Sequence, residues 1–221
     1  VEQAMTVNRD SAAALARAAA ACSARLLHIS TDFVFSGEQS RPYREEDAPG
    51  PLGVYGRSKL EGERAVREAL PDAVILRTAW VYGVRGHNFV RTMLRLAAEG
   101  RPLRVVDDQT GSPTWARDIA GVITALMQAG ASGLYHYTSA GSVSWCGFAS
   151  AILSEAMKAG FELRTQTVEP ITTAEYPTPA SRPEYSVLDT GKIEAELGLS
   201  IPDWHDSLVA MLGELYTCET S

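Results

Sequence analysis

Two short apolar runs with a helical run between them set the strongest limit on how this chain can fold. The runs at 25–30 and 73–77 have the length and composition of buried strands, and residues 55–70 follow the pattern of a helix. Strand, helix and strand at this spacing indicate parallel strands joined by a right-handed crossover. The carboxyl ends of such strands meet at one edge of the sheet, where open α/β sheets bind their ligands.

The rest of the chain predicts more elements of both kinds. Helices are expected at 4–22, 88–99, 116–128, 145–159, 191–197 and 204–216, and strands at 103–106 and 133–137. From 160 to 188 the pattern loosens among several prolines. An α/β fold follows from this alternation of strands and helices.

Composition excludes several classes of protein. With 45% hydrophobic and 21% charged residues, the 221-residue chain is typical of a soluble globular protein. A net charge of −7 argues against nucleic-acid binding, and no apolar run approaches the roughly 18 residues that span a membrane. The three cysteines form no CxxC pair, and no histidines or carboxylates cluster at metal-ligand spacing. A reducing cytoplasm is the predicted location, with no metal site.

Hydroxyl and aromatic side chains follow both predicted strands. Ser30 and Thr31 end the first strand, and Thr78 and Trp80 follow the second. A Ser/Thr turn is the alternative interpretation of the first pair. If the two strands are neighbours in one parallel sheet, these side chains meet at the same edge.

Tyr55 and Lys59 stand at the start of the intervening helix. Residues four apart share a helix face, so both side chains can point at one reactant. A nearby ammonium would favour the phenolate and lower the tyrosine pKa from about 10, which suits a general acid. A tyrosine and a lysine at this spacing also occur on ordinary helix surfaces. Lysine is scarce here, with 3 among 20 basic residues, which favours a specific use of Lys59.

Several motifs together resemble the extended short-chain dehydrogenases/reductases, and among them the dTDP-4-dehydrorhamnose reductases. The resemblance covers nearly the whole chain, and its most specific parts are the Ser-Thr-Asp-x-Val-Phe and Asp-Gln-x-Gly-x-Pro-Thr runs. The matching stretches are Val7–Asn8, His28–Gly37, Tyr55–Glu63, Leu76–Gly83, Asn88–Phe89, Asp108–Thr114, Arg182–Pro183 and Leu188–Thr190.

The resemblance implies reduction of the 4-keto group of dTDP-4-dehydro-L-rhamnose by NADPH or NADH. Tyr55 would protonate the developing alkoxide, Thr31 would hydrogen-bond the reacting oxygen, and Lys59 would hold the nicotinamide ribose and lower the tyrosine pKa. The implied cofactor contacts are Ser30, Tyr55, Lys59 and Thr78. The implied substrate contacts are Thr31, Asp32, Phe33, Tyr55, Trp80 and Asn88, with Trp80 packed on the sugar ring.

The implied fold is a Rossmann-like parallel sheet flanked by helices, with a smaller carboxyl-terminal α/β substrate domain. Residues 1–82 and about 101–138 would bind NAD(P), and about 83–100 and 139–221 would bind the substrate. The resemblance leaves the choice between NADH and NADPH open, and a homodimer is compatible with it.

Two features depart from the family pattern. Phe33 stands where relatives often carry tyrosine, so one hydroxyl contact is lost. No glycine-rich phosphate-binding turn follows a first strand in these 221 residues. The expectation is that the first strands of the domain are missing and that these residues alone bind dinucleotide weakly, which calorimetric titration with NADPH would test.

Two other functions share the fold and stay open on the sequence. One is a non-catalytic regulatory subunit of the methionine adenosyltransferase type, which would act by binding a partner enzyme. The other is a nucleotide-sugar epimerase or dehydratase, which would need further acid or base residues near Tyr55. Asp32 is the one carboxylate expected near the site.

Overall fold

The computed structural model describes residues 1–176 and 182–220, which divide into two compact units. The first consists of Val1–Ala79, Ala120–Thr138 and the described part of Pro179–Ser200. The second consists of Trp80–Ile119 and the described parts of Ser139–Thr178 and Ile201–Ser221. No helix in the described ranges is long and apolar enough to cross a membrane.

Each helix and strand expected from the sequence has a counterpart, and five short strands in the described residues were not expected. The helices are α1 (Glu2–Met5), α2 (Ser11–Ala21), α3 (Val54–Ala69), α4 (Phe89–Ala98), α5 (Ala116–Gln128), α6 (Trp145–Ala159), α7 (Gly191–Leu197) and α8 (Trp204–Thr220). The strands are β1 (Leu27–Thr31), β2 (Val74–Thr78), β3 (Val81–Tyr82), β4 (Leu103–Val106), β5 (Thr110–Gly111), β6 (Thr114–Trp115), β7 (Gly133–His136), β8 (Val143–Ser144) and β9 (Val168–Ile171). A π-helical turn at Thr6–Asp10 joins α1 to α2.

A three-stranded parallel sheet in the order β1-β2-β7 forms the centre of the first unit. Every residue of β2 is buried, which explains the consecutive apolar residues Val74–Leu76, because strands covered on both faces do not alternate. Ala12 and Ala16 of α2 pack with Val66 of α3 and Ile75 of β2. The alanine-rich sequence therefore forms a close helix layer on the sheet.

The second unit has a core of helices α4, α6 and α8 packed with short strand pairs. Strand β4 pairs with β9, β3 with β6, and β5 with β8. Its most buried side chains come from all three helices: Val90, Phe148, Ile152, Leu208, Met211 and Leu212. Strand β9 lies in the stretch expected to be irregular, and the proline-rich residues 177–181 of that stretch are outside the described residues.

The observed division differs from the expected domain boundaries in three segments, of which residues 80–82 lie in the second unit instead of the first. Residues 101–119 belong to the second unit, because β4 pairs with β9 of that unit. Residues 182–200 belong to the first unit, where Lys192 of α7 donates to the carbonyl of Leu134 on β7. The assignment of one domain to the cofactor and the other to the substrate stays a prediction.

Candidate active site

The polar ends of β1 and β2 lie side by side. Thr31 and Thr78 are paired across the two parallel strands, and Ser30 is paired with Arg77. The strand-neighbour arrangement expected from the sequence is therefore present. The buried hydroxyls of Ser30 and Thr78 have no hydrogen-bond partner among the described residues. Buried hydroxyls normally have a hydrogen-bond partner. Two such hydroxyls without a partner at the carboxyl ends of neighbouring strands therefore fit the binding of a polar ligand.

Helix α3 brings Tyr55 to the same edge. The helix begins at Val54 and packs against the short 3-10 turn Asp32–Val34 that follows β1. Gly56 allows this close approach, because a Cβ atom there would lie 2.0 Å from the Phe33 carbonyl oxygen. The ring of Phe33 meets the ring of Tyr55 edge-on, with centroids 5.8 Å apart. Tyr55 as a whole is 52% exposed.

The pKa of Tyr55 is raised, which contradicts the lowering expected from Lys59. Partial burial raises it most, the nearby Thr31 hydroxyl lowers it, and the Asp32 charge raises it again. Lys59 Nζ donates instead to the carbonyl oxygen of Ile29, at 2.6 Å. Desolvation lowers the pKa of Lys59 itself, against a raising effect from Glu63. The ammonium is thus held by the strand backbone, and the tyrosine keeps its proton.

Asp32 is a buried carboxylate beside Thr31, with 1% of its surface exposed. The Thr31 hydroxyl donates to Asp32 Oδ1 at 3.0 Å and accepts from the Phe33 amide at 3.2 Å. Burial raises the pKa of Asp32 to about 6, although the Ser186 and Thr31 hydroxyls lower it. Asp32 Oδ2 has no partner of normal hydrogen-bond geometry among the described residues, but Ser186 is near enough to influence it.

A buried ion pair fastens α3 to β2 behind these residues. Arg77 donates to both carboxylate oxygens of Glu63, at 2.8 and 2.7 Å, and both side chains are almost fully buried. His136 Nε2 lies 3.4 Å from Arg77, whose guanidinium also lies over the ring of Phe35. The sequence interpretation missed this pair. The sequence feature that could have revealed the pair is the single arginine inside an apolar strand. A fully buried charge requires a partner, so an acidic residue on the adjacent helix was to be expected.

Trp80 and Asn88 belong to the second unit. The Trp80 indole stacks on Trp145, with centroids 3.5 Å apart and planes 7° from parallel. Its backbone has φ +47, a conformation that costs a non-glycine residue on the order of 1–3 kcal/mol. Asn88 precedes α4 and caps it, accepting from the Arg91 amide at 3.2 Å and donating to the Gly83 carbonyl at 2.8 Å.

Replacing Gly56 with alanine is expected to destabilise the first unit by about 1–3 kcal/mol, because the new methyl group would force α3 away from the 3-10 turn. Urea denaturation would measure the loss. Gly121→Ala in α5 is the matched control, since nothing lies within 4 Å of a Cβ there and alanine favours a helix. Equal stability of the two variants would show that the close approach at Gly56 is not needed.

Comparison with known proteins decides the family. The family model described as RmlD substrate binding domain matches residues 1–217. dTDP-4-dehydrorhamnose reductase of Escherichia coli K12 is 42% identical over 98% of this chain and 74% of its own length. The chain belongs to the dTDP-4-dehydrorhamnose reductase family.

Solved structures of that family agree with the fold. The dTDP-4-dehydrorhamnose reductase ortholog of Clostridium acetobutylicum has a TM-score of 0.90 and 39% identity, covering 97% of this chain and 75% of that one. The Bacillus anthracis reductase, solved in complex with NADP, has a TM-score of 0.87 and 37% identity, covering 94% and 72%. The family and the Rossmann-like fold class predicted from the sequence are confirmed.

Proposed function

We propose that this chain reduces the 4-keto group of dTDP-4-dehydro-L-rhamnose with NAD(P)H and forms dTDP-L-rhamnose. One observation carries the proposal: the helix that begins with Tyr55 packs on the turn after Thr31, beside the strand ends where the buried hydroxyls of Ser30 and Thr78 lack partners. The oxidoreductase class and the NAD(P)H cofactor predicted from the sequence agree with the names of the relatives, one of which holds NADP.

Tyr55 is suited to give a proton to the developing alkoxide. Its pKa is raised from the ordinary value of about 10, so the hydroxyl stays protonated at neutral pH. A proton donor for ketone reduction needs that form, whereas oxidation of an alcohol would need the phenolate. Thr31 would hydrogen-bond the reacting oxygen beside it.

The residues of the strand edge also fit the nicotinamide end of the cofactor. Lys59, held at the Ile29 carbonyl, and Tyr55 would hold the nicotinamide ribose. The unpartnered hydroxyls of Ser30 and Thr78 offer further contacts. When bound, the reduced cofactor supplies the hydride.

Four further residues are proposed as substrate contacts. Asp32 and Phe33 follow Thr31 directly in the first unit. Phe33 gives an apolar wall beside the Tyr55 ring in place of the hydroxyl that relatives often carry there. Trp80 and Asn88 are the proposed sugar-nucleotide contacts of the second unit. A cytoplasmic location and a homodimer stay predictions from the sequence.

The activity is tested by mixing the protein that carries this chain with NADPH and dTDP-4-dehydrorhamnose. Equal consumption of NADPH and ketosugar, with dTDP-L-rhamnose identified by NMR, is the expected result. An epimerase or dehydratase would convert a nucleotide sugar without net consumption of NADPH. A regulatory subunit would show neither reaction, and either result would contradict the proposal.

Trp80→Ala is expected to raise the KM for the dTDP-sugar several-fold and to leave the KM for NADPH nearly unchanged. The physical reason is loss of apolar stacking area for the sugar. If Trp80 serves only to pack on Trp145, the melting temperature falls and both KM values stay normal. Trp204→Ala is the control for removal of a partly buried tryptophan, since Trp204 packs on Phe148 in the same unit.

A further inference from the structure

The hydroxyl of Thr31 has more acceptors facing it than it has hydrogens. A threonine hydroxyl donates one hydrogen bond and accepts up to two. Its single hydrogen is used on Asp32 Oδ1 at 3.0 Å, while one lone pair accepts from the Phe33 amide at 3.2 Å. Tyr55 lies close enough to the same hydroxyl for the pKa of Tyr55 to respond to it. Thr31 can therefore serve either Asp32 or the oxygen atoms at Tyr55 as a donor, but not both at once.

The charge on Asp32 determines which acceptor receives that hydrogen. An ionised carboxylate only accepts, and charge-assisted hydrogen bonds are about twice as strong as neutral ones. A protonated carboxyl can donate to Thr31 Oγ1 itself, which leaves the threonine hydrogen free. Asp32 is 1% exposed, so water offers little alternative solvation for its charge.

We propose that Asp32 is a positioning residue for the reduction, and that its protonation turns the Thr31 hydrogen away from the carboxyl group toward Tyr55 and the reacting oxygen. This inference rests on the proposed function for its catalytic meaning. The neighbours that act on the pKa of Asp32 are the hydroxyls of Ser186 and Thr31 and the backbone amides of Asp32 and Phe33. Tyr55 is the titratable group on α3 whose pKa responds to Asp32.

The surroundings of Asp32 favour its neutral form more than an exposed carboxyl group would allow. Burial brings the pKa of Asp32 to about 6, and its Oδ2 atom has no hydrogen-bond partner among the described residues. When Asp32 is neutral, the Thr31 hydrogen becomes available to the oxygen atoms at Tyr55.

The test is a double-mutant cycle read on the pKa of Tyr55. Tyrosine labelled with ¹³C at Cζ gives a resonance for Tyr55, which is assigned as the one missing from the Tyr55→Phe spectrum. Asp32→Asn is expected to lower the Tyr55 pKa, since it removes a negative charge and releases the Thr31 hydrogen to the phenolate. In the Thr31→Val background only the charge effect remains. The change in the Tyr55 pKa caused by Asp32→Asn should be larger with Thr31 present than in Thr31→Val, by about one pKa unit. That is the size of one charge-assisted hydrogen bond.

Ser186→Ala is the matched control. It removes a hydroxyl that acts on Asp32 but leaves Thr31 and Tyr55 in place, so the effect of Asp32→Asn on Tyr55 should be unchanged. If Asp32→Asn shifts the Tyr55 pKa equally with and without the Thr31 hydroxyl, Asp32 acts through charge alone and the inference is wrong. The titration needs no substrate, so its outcome is independent of whether the protein proves to be a reductase.

Discussion

Tyr55→Phe is expected to lower kcat by about 10²–10⁴-fold, because it removes a positioned general acid. The fold should be unaffected, since Tyr55 is 52% exposed and phenylalanine keeps the edge contact with Phe33. NADPH oxidation with dTDP-4-dehydrorhamnose gives kcat, and thermal denaturation checks the fold.

Tyr135→Phe is a suitable control for this result. The Tyr135 hydroxyl lies in the same unit and donates to Glu196 at 2.6 Å. Tyr135 is on β7 and Glu196 is on α7, and neither residue is part of the proposed site. Removing it should leave kcat within a factor of about two, because it deletes no group assigned to proton transfer. Near-normal kcat in Tyr55→Phe would remove Tyr55 from the mechanism.

Glu63→Gln is expected to destabilise the protein by about 3–5 kcal/mol, because it leaves the buried guanidinium of Arg77 without its counter-charge. The two side chains are 0% and 2% exposed and share two hydrogen bonds. Loss of these two hydrogen bonds would loosen α3 from β2. Helix α3 carries Lys59 one turn before Glu63, and β2 ends at Thr78. Urea denaturation measures the change in the free energy of unfolding.

The same helix provides the control for the buried pair. Glu61 accepts from Arg64 at 2.7 Å, but those side chains are 37% and 59% exposed. Glu61→Gln should therefore change stability by less than about 1 kcal/mol, as is usual for surface ion pairs. If Glu61→Gln and Glu63→Gln have equal effects, the buried pair does not hold α3 to the sheet.

The sequence predicted the long elements well because their patterns are local. β2 was expected at 73–77 and occupies Val74–Thr78, and α3 was expected at 55–70 and occupies Val54–Ala69. The two-residue strands such as β3 and β6 are too short to show any periodicity. Strand β9 contains Pro170, which argued against a strand, yet it pairs with β4.

The topology of the sheet allowed the proximity of Thr31 and Tyr55 to be predicted from the sequence. The direction of the pKa shift of Tyr55 could not be predicted in this way. Spacing along a helix placed Lys59 near Tyr55, yet the ammonium binds the carbonyl of Ile29 instead. That choice depends on the distance between α3 and β1, which no sequence pattern records. Glu63 was overlooked for a related reason, since charged residues are expected at the surface unless a buried partner is known.

The most direct test of the account follows the hydride. NADPH deuterated on the face that transfers is incubated with the protein and dTDP-4-dehydrorhamnose, and the product is examined by NMR and mass spectrometry. The expected result is dTDP-L-rhamnose with deuterium at the sugar C4 and an equal amount of NADP⁺, with both greatly reduced in Tyr55→Phe. A nucleotide-sugar product without deuterium at C4, or one formed equally well by Tyr55→Phe, would contradict reduction at the Thr31–Tyr55 edge.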